Sequence, residues 1–306
     1  MGGSATIWPL VALAILVAVL AWGYWPTFGD IVSRWANDSK YSHGYFVPAF
    51  ALYLLRYRKD KLRGVKATGH IWGLAFLTLG VAMHLLGART YYEWLSTASF
   101  LPCLAGLCLG LGGWKVLAWA WPAIVFLGFM LPLPFRVEVA LALPLQRLAT
   151  TSSVFVLQLL GLPAVAEGNI IIMEETTIGV VEACNGLGML VTFFAVTTGL
   201  AFLVKSWLEK AVLVLSSIPV ALAANVCRIT VTGLIAEWIG RETANEFHNS
   251  FLAAFFSMVV ALGLVGLELW LLNRLFPVVS AHDEPVFIFA KRKSVPPAKK
   301  PSLVKP

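Results

Sequence analysis

Charge is scarce in this chain. Of 306 residues only 13% are charged and 59% are hydrophobic, whereas soluble domains carry roughly 25% charged residues. A water-soluble core cannot absorb so much apolar sequence, which excludes an ordinary soluble enzyme and makes the bilayer the solvent. Cysteine is scarce as well: Cys103, Cys108, Cys184 and Cys227 include no CxxC pair, and three lie inside apolar runs. That argues against a disulfide framework and against a zinc site. No metal or other cofactor is expected. No basic residue precedes Arg34, so the apolar stretch Ile7 to Trp25 lacks the positive start of a secretory signal and reads as an uncleaved span. There is no internal repeat, no glycine-rich phosphate loop and no second soluble domain.

What is present is a series of long apolar runs. Eight spans are expected, near 6–25, 43–56, 70–87, 95–112, 116–134, 186–204, 211–235 and 251–275, each close to the ~20 residues a membrane helix needs. The second is the weakest, being short and starting beside a histidine. The net charge of +7 sits in short clusters between apolar runs, which points to membrane topology and not to nucleic acid as a partner. If the N-terminus is cytoplasmic, one face holds Arg56, Arg58, Lys59, Lys61, Arg63 and Lys66, then Lys115, Lys205, Lys210 and the bases from Arg274 onward. This is the basic-inside pattern. Both termini are then cytoplasmic. The expected organisation is a multi-pass domain over 1–280 and a basic, disordered tail over 281–306.

Residues 135–182 interrupt the series. Pro132 and Pro134 end the fifth span. Residues 135–160 mix charge with apolar side chains, as in an interfacial or re-entrant helix. A further crossing there would export the basic tail. The β-branched runs on either side of Glu174-Glu175-Thr176-Thr177 predict a short hairpin. The fold class is thus all-α and membrane-embedded, about eight helices with a small outer-face element of amphipathic helix and hairpin.

Three residues stand out on that topology. Arg228 lies within the seventh span, about 10 Å below its outer end at 1.5 Å per residue. Its side chain can reach the interface by extending upward. Asn225 and Thr232 share its helix face. It reads either as a structural arginine holding a headgroup or carbonyls, or as a functional charge, the default reading inside a membrane. Cys184 sits where the hairpin meets the sixth span. Taken alone it is an inert small side chain, but it lies at a membrane boundary, and Asn185 and Gly186 permit a turn around the thiol. His248 opens the eighth span on the same outer face. A lone histidine there is an interfacial polar group; beside a cysteine it gains a chemical meaning. An imidazole can take a thiol's proton and return it to a leaving amine. A fixed guanidinium can lower the thiol pKa and hold an oxyanion. Tyr41-Ser42-His43-Gly44 forms a fourth polar cluster, with Ser42 or Asp38 as a cap and with Tyr41 and His43 in structural or substrate-positioning roles. Glu182 either orients the site or faces water. Cys227, Cys103 and Cys108 read as packing.

These motifs resemble the exosortase/archaeosortase family of membrane transpeptidase-like proteins. The resemblance is carried by Glu182-Ala183-Cys184-Asn185-Gly186-Leu187, by Ala224-Asn225-Val226-Cys227-Arg228-Ile229 and by His248 before the last span. Tyr41-Ser42-His43-Gly44 and Pro132-Leu133-Pro134 add to it. It covers most of residues 30–275. It implies an eight-helix cysteine enzyme on the outer face of a prokaryotic cytoplasmic membrane, with Cys184 as nucleophile, Arg228 as the arginine and His248 as acid and base. The implied partners are exported proteins ending in a sorting signal: a Pro-Glu-Pro-like motif, a transmembrane segment and a basic tail. Cleavage near the motif and transfer to a surface acceptor would follow, often in the context of exopolysaccharide. The family commonly shows Cys-Ser-Gly-Leu-Arg; this chain has Gly188 in place of that arginine, so the sorting motif stays open. The competing expectations are a multi-pass transporter using Arg228 as an anion site and a non-catalytic scaffold of polysaccharide export. Transporters show repeated halves and broken midplane helices; here the polar residues gather at one face.

Overall fold

The computed structural model describes residues 7–65, 68–174, 177–179, 186–204 and 206–275. The tail expected over 281–306 lies outside them, as do Glu182, Cys184 and Asn185. Eleven α-helices follow one another among the described residues: α1 Ile7–Gly23, α2 Trp25–Asn37, α3 Phe46–Tyr57, α4 Trp72–Thr90, α5 Glu93–Ala98, α6 Phe100–Phe126, α7 Phe135–Leu159, α8 Leu187–Leu203, α9 Trp207–Trp238, α10 Arg241–Asn249 and α11 Phe251–Leu275. Large apolar side chains such as Trp22, Phe46, Ile71, Trp207 and Leu215 point outward all round the helices, as lipid-facing residues do. The chain is a multi-pass membrane protein of the all-α class.

The expected count of about eight spans is not confirmed among the described residues. Among the described residues five helices are long and apolar enough to cross a membrane, or six if the pair Ile15–Gly23 and Trp25–Asn37, bent by 52°, counts as one. Two expected spans are short: α3 has 12 residues and α8 has 17, about 18 and 26 Å of helix. Two others merge into one helical run, although the run is broken inside by Gly113 at φ 70° and ψ −169°. Packing shows what that break does. Before it, Gly106 and Gly110 lie against Gly73 of α4, and Cys103 lies against Gly80. After it, the carbonyls of Ala118 and Trp119 accept from Arg58 at the end of α3, and Phe126 packs on Phe50 nearer its start. The two halves of α6 thus run antiparallel to α4 and to α3 respectively.

The seam between α4 and α6 is built from small residues. Gly73, Gly80 and Gly87 are spaced by seven and fall on one face, the first two against α6 and Gly87 against Ser96 of α5. A Cβ at Gly73 would stand 2.4 Å from the backbone nitrogen of Gly110. Such close approach is how membrane helices gain dispersion contact without a hydrophobic drive.

Helix α7 bears on the expectation of an interfacial or re-entrant element. Its 25 residues give about 37 Å of helix, enough to cross. Yet Glu138 in its first turn pairs with Lys40, whose Cα lies against Gly188 at the start of α8. At the other end Leu157 packs on Gly233, near the end of α9. Gly186, just before α8, lies beside Asn225 of α9, and Asn225 to Gly233 is eight residues, about 12 Å. The first turn of α7 thus lies against the start of α8 and its last turn against the end of α9. Its buried side is Gln146, Ala149, Thr150, Ser153, Val154 and Leu157; Phe135, Leu141, Leu148 and Phe155 point out.

Beyond α7 the expected hairpin is present and larger by one strand. Strands β2 (Ile170–Ile172) and β3 (Thr177–Gly179) pair antiparallel, with Ile171 opposite Ile178. β1 (Val165–Glu167) adds on the far side through the turn at Gly168, whose φ is +62°. This small sheet packs by Ile171 and Met173 against Ile229, Ala236 and Ala244, so it covers the end of α9.

Candidate active site

The site is assembled on the last four turns of α9. Asn225, Arg228 and Thr232 stand at intervals of three and four, so their side chains share one stripe of the helix. Facing them is the last turn of α10, a nine-residue helix folded back on α9 after Gly240. The carbonyls at the end of a helix have no partner within it. Arg228 supplies one: its Nη2 donates to the carbonyl oxygen of His248 at 2.7 Å. The guanidinium also opposes the negative end of the α10 dipole. Arg228 Nε is buried and has no acceptor among the described residues.

The imidazole of His248 is 8% exposed. Its pKa is lowered to about 4, first by burial, which disfavours the charged ring, and then by the positive charge of Arg228. At neutral pH the ring is neutral. Its Nδ1 lies 3.3 Å from the hydroxyl of Thr232, and that hydroxyl donates to the carbonyl of Arg228 at 2.9 Å. Asn225 is 1% exposed. A Cβ built on Gly186 would meet its Nδ2 at 3.1 Å. Gly186 itself has φ +77°, a conformation open to glycine at little cost. The structure therefore brings Arg228, His248, Thr232 and Asn225 together at the point where the chain enters α8. Cys184, Glu182 and Asn185 lie outside the described residues. Cys227, expected to be packing, is exposed, because it faces away from the stripe that α9 buries. Cys103 is buried, as expected, against Gly80 and the hydroxyl of Tyr24.

Tyr41 and His43 belong to a neighbouring cluster. They lie in the 3-10 segment Ser39–Tyr45, which Asp38 caps by accepting from the backbone of Lys40. The Tyr41 hydroxyl donates to Glu138 Oε2 and accepts from the backbone of Leu133, both at 3.2 Å. Burial and then the Glu138 charge raise its pKa to about 12. His43 Nε2 donates to the carbonyl of Phe129 at 3.1 Å. These bonds hold the segment that leads into α7, so the two residues shape the approach to α7 and make no bridge to Arg228. Lys40 and Glu138, in no motif of the sequence, form an ion pair here. Their pairing crosses 98 residues, and each lies two residues from an opposite charge, Asp38 and Arg136, so nothing local marks the pair. A cavity of about 280 Å³ beside this cluster is lined by Asp30, Arg34, Tyr92, Glu93, Pro132 and Glu138; it does not reach His248.

A family model described as transmembrane exosortase matches residues 35–266, a range that holds every expected site residue from Tyr41 to His248. No curated protein and no solved structure matches the chain.

Proposed function

Because this chain belongs to the transmembrane exosortase family, we infer that it is a membrane cysteine transpeptidase that removes the C-terminal sorting signal of exported proteins. The observation that carries this reading is the pairing of a neutral, buried imidazole with a guanidinium fixed on its own carbonyl. The pair lies one helical turn from Asn225, against which Gly186 packs. Cys184 is two residues from Gly186, a chain reach of at most about 7 Å.

In this proposal His248 takes the proton of the Cys184 thiol. The thiolate attacks the carbonyl carbon of the scissile peptide, and the oxyanion that forms is met by the guanidinium of Arg228, whose Nε still has a hydrogen to give. The C–N bond breaks, the proton on His248 passes to the leaving amine, and a thioester to Cys184 is left. Water or an amine acceptor then gives its proton to His248, attacks the thioester and releases Cys184. Water gives hydrolysis; an acceptor on the cell surface gives transfer. The substrate is proposed to be bilayer-anchored itself, through a Pro-Glu-Pro-like motif followed by a transmembrane segment and a basic tail. The enzyme is proposed to sit in a prokaryotic inner membrane with both termini cytoplasmic and the site outward. In support, the basic stretch Arg56–Arg63 follows the end of α3 that lies away from Lys40 and Gly188, as basic-inside topology requires.

Co-expression with an exported reporter bearing such a signal tests this. Wild type should shorten the reporter; Cys184→Ala, at equal abundance in the membrane, should leave it whole. Continued shortening by Cys184→Ala would sink the reading.

A further inference from the structure

Thr232 has one hydroxyl hydrogen and two lone pairs. The hydrogen is committed along the helix: Oγ1 donates to the carbonyl of Arg228 at 2.9 Å, the usual back-bond of a helical threonine. Toward His248 Nδ1, 3.3 Å away, the hydroxyl can offer only a lone pair. Nδ1 must then carry a hydrogen, and in a neutral imidazole the basic lone pair falls on Nε2. The backbone of the same histidine is held independently, by Arg228 Nη2 on its carbonyl. Two adjacent turns of α9 thus fix His248 at two points, one setting its place and one its tautomer. Thr232 is itself buried, at 2% exposure, so water does not compete for Nδ1 through that side.

We propose that Thr232 is the positioning residue of the site: by accepting the Nδ1 hydrogen it presents Nε2 of His248 as the nitrogen that exchanges protons with the reacting groups. This rests on the transpeptidase reading for its consequence in catalysis, but the tautomer it assigns does not. A neutral hydrogen bond contributes ~0.5–1.5 kcal/mol, so its loss corresponds to about tenfold in rate at the upper end.

Two measurements on the full-length protein test this. Reporter processing is followed at saturating and limiting reporter for wild type, Thr232→Ser and Thr232→Val. The valine is close in shape and has no acceptor; the serine keeps the hydroxyl. Turnover should fall about tenfold in Thr232→Val, with half-saturation unchanged, and should recover in Thr232→Ser. Separately, nitrogen-15 histidine spectra of the membrane-reconstituted protein, with His248→Gln used to assign the His248 signal, report which nitrogen is protonated. Wild type should show the Nδ1–H form and Thr232→Val a mixture. An Nε2–H form in wild type, or a Thr232→Val protein with wild-type turnover and an undisturbed Nδ1–H signal, overturns the proposal. Should wild type process no reporter, the transpeptidase reading fails while the spectra still decide the tautomer. Should Thr232→Val not accumulate, wild type and Thr232→Ser decide it.

Discussion

The contact of α4 with α6 and the contact of α9 with α10 solve the same problem in opposite ways. Along α4 the glycines let backbone approach backbone, as Gly73 does Gly110, and Gly80 leaves room for the Cys103 thiol. Along α9, beside the apolar packing of Ala244 near Ile229 and Ala236, the contact on His248 is made by Arg228 and Thr232, whose polar groups would be costly against an empty or apolar partner. Hydrophobic burial drives neither contact, since lipid is as apolar as the helices. The difference is what each can tolerate. A seam of glycines is sensitive to volume and indifferent to charge. A polar stripe is sensitive to the identity of each atom, and this is the condition for holding the His248 imidazole in one geometry.

The largest effect should come from breaking the polar side. His248→Gln keeps a side chain of similar reach and removes the exchangeable proton site. General acid–base groups contribute on the order of 10²–10⁴-fold, so reporter processing should drop by at least about a hundredfold while the protein still accumulates. The pH dependence gives the same contact a sign. With its pKa lowered to about 4, His248 stays neutral, and hence basic, well below the ordinary histidine value of about 6.5. Processing by wild type should hold as pH falls through 6.5 and be lost only as pH approaches 4. A loss centred near pH 6.5 would show that burial and Arg228 do not act on this ring as the structure places them.

The glycine side should respond to volume alone. In Gly73→Ala the added methyl would lie 2.4 Å from Gly110 N and 2.5 Å from its Cα, and backbone cannot step aside as a side-chain tip can. Overpacking of this kind costs ~1–3 kcal/mol, and the gain in helix propensity, at most ~1 kcal/mol, offsets only part of it. The variant should melt earlier in detergent, while each folded molecule processes the reporter at the wild-type rate. A lower rate at unchanged stability would mean that the seam reaches the site and that the contrast drawn above is wrong.

How much of this was legible in the sequence follows from the range of each interaction. The stripe Asn225, Arg228, Thr232 needs only the helical repeat, and the closeness of His248 needs only a charge count and a membrane. The hairpin of Ile170–Ile172 with Thr177–Gly179 is local and could be read; β1 was missed because Val165-Ala166-Glu167 has no β-branched run to mark it. The break between the two halves of α6, at Gly113, falls between the expected spans 95–112 and 116–134. The number of spans was not legible, because apolar composition says nothing of where a helix starts, and α3 begins only at Phe46 once the 3-10 segment has taken Ser39–Tyr45. The Lys40–Glu138 pair was invisible for a related reason. Each partner has an opposite charge two residues away, Asp38 and Arg136, and only the fold that sets the first turn of α7 beside the start of α8 brings Lys40 and Glu138 together.

That pair sets up the smallest test, since it joins the two kinds of contact. Tyr41 receives the backbone hydrogen of Leu133 and gives its own to Glu138, so it locks the entry of α7 beside the glycine at position 188. Tyr41→Phe keeps the ring and removes both bonds. Each is worth ~0.5–1.5 kcal/mol, but Glu138 keeps Lys40 as a partner, so the Leu133 nitrogen is the only group left without one. The expected loss is about 1 kcal/mol, read as a modest fall in melting temperature. Processing should change little, because the hydrogen bonds of Tyr41 end on the α7 entry and not on His248. If Tyr41→Phe instead abolishes processing at nearly unchanged stability, then the Ser39–Tyr45 segment acts on the substrate directly, and the site extends from α9 across the start of α8 to α7.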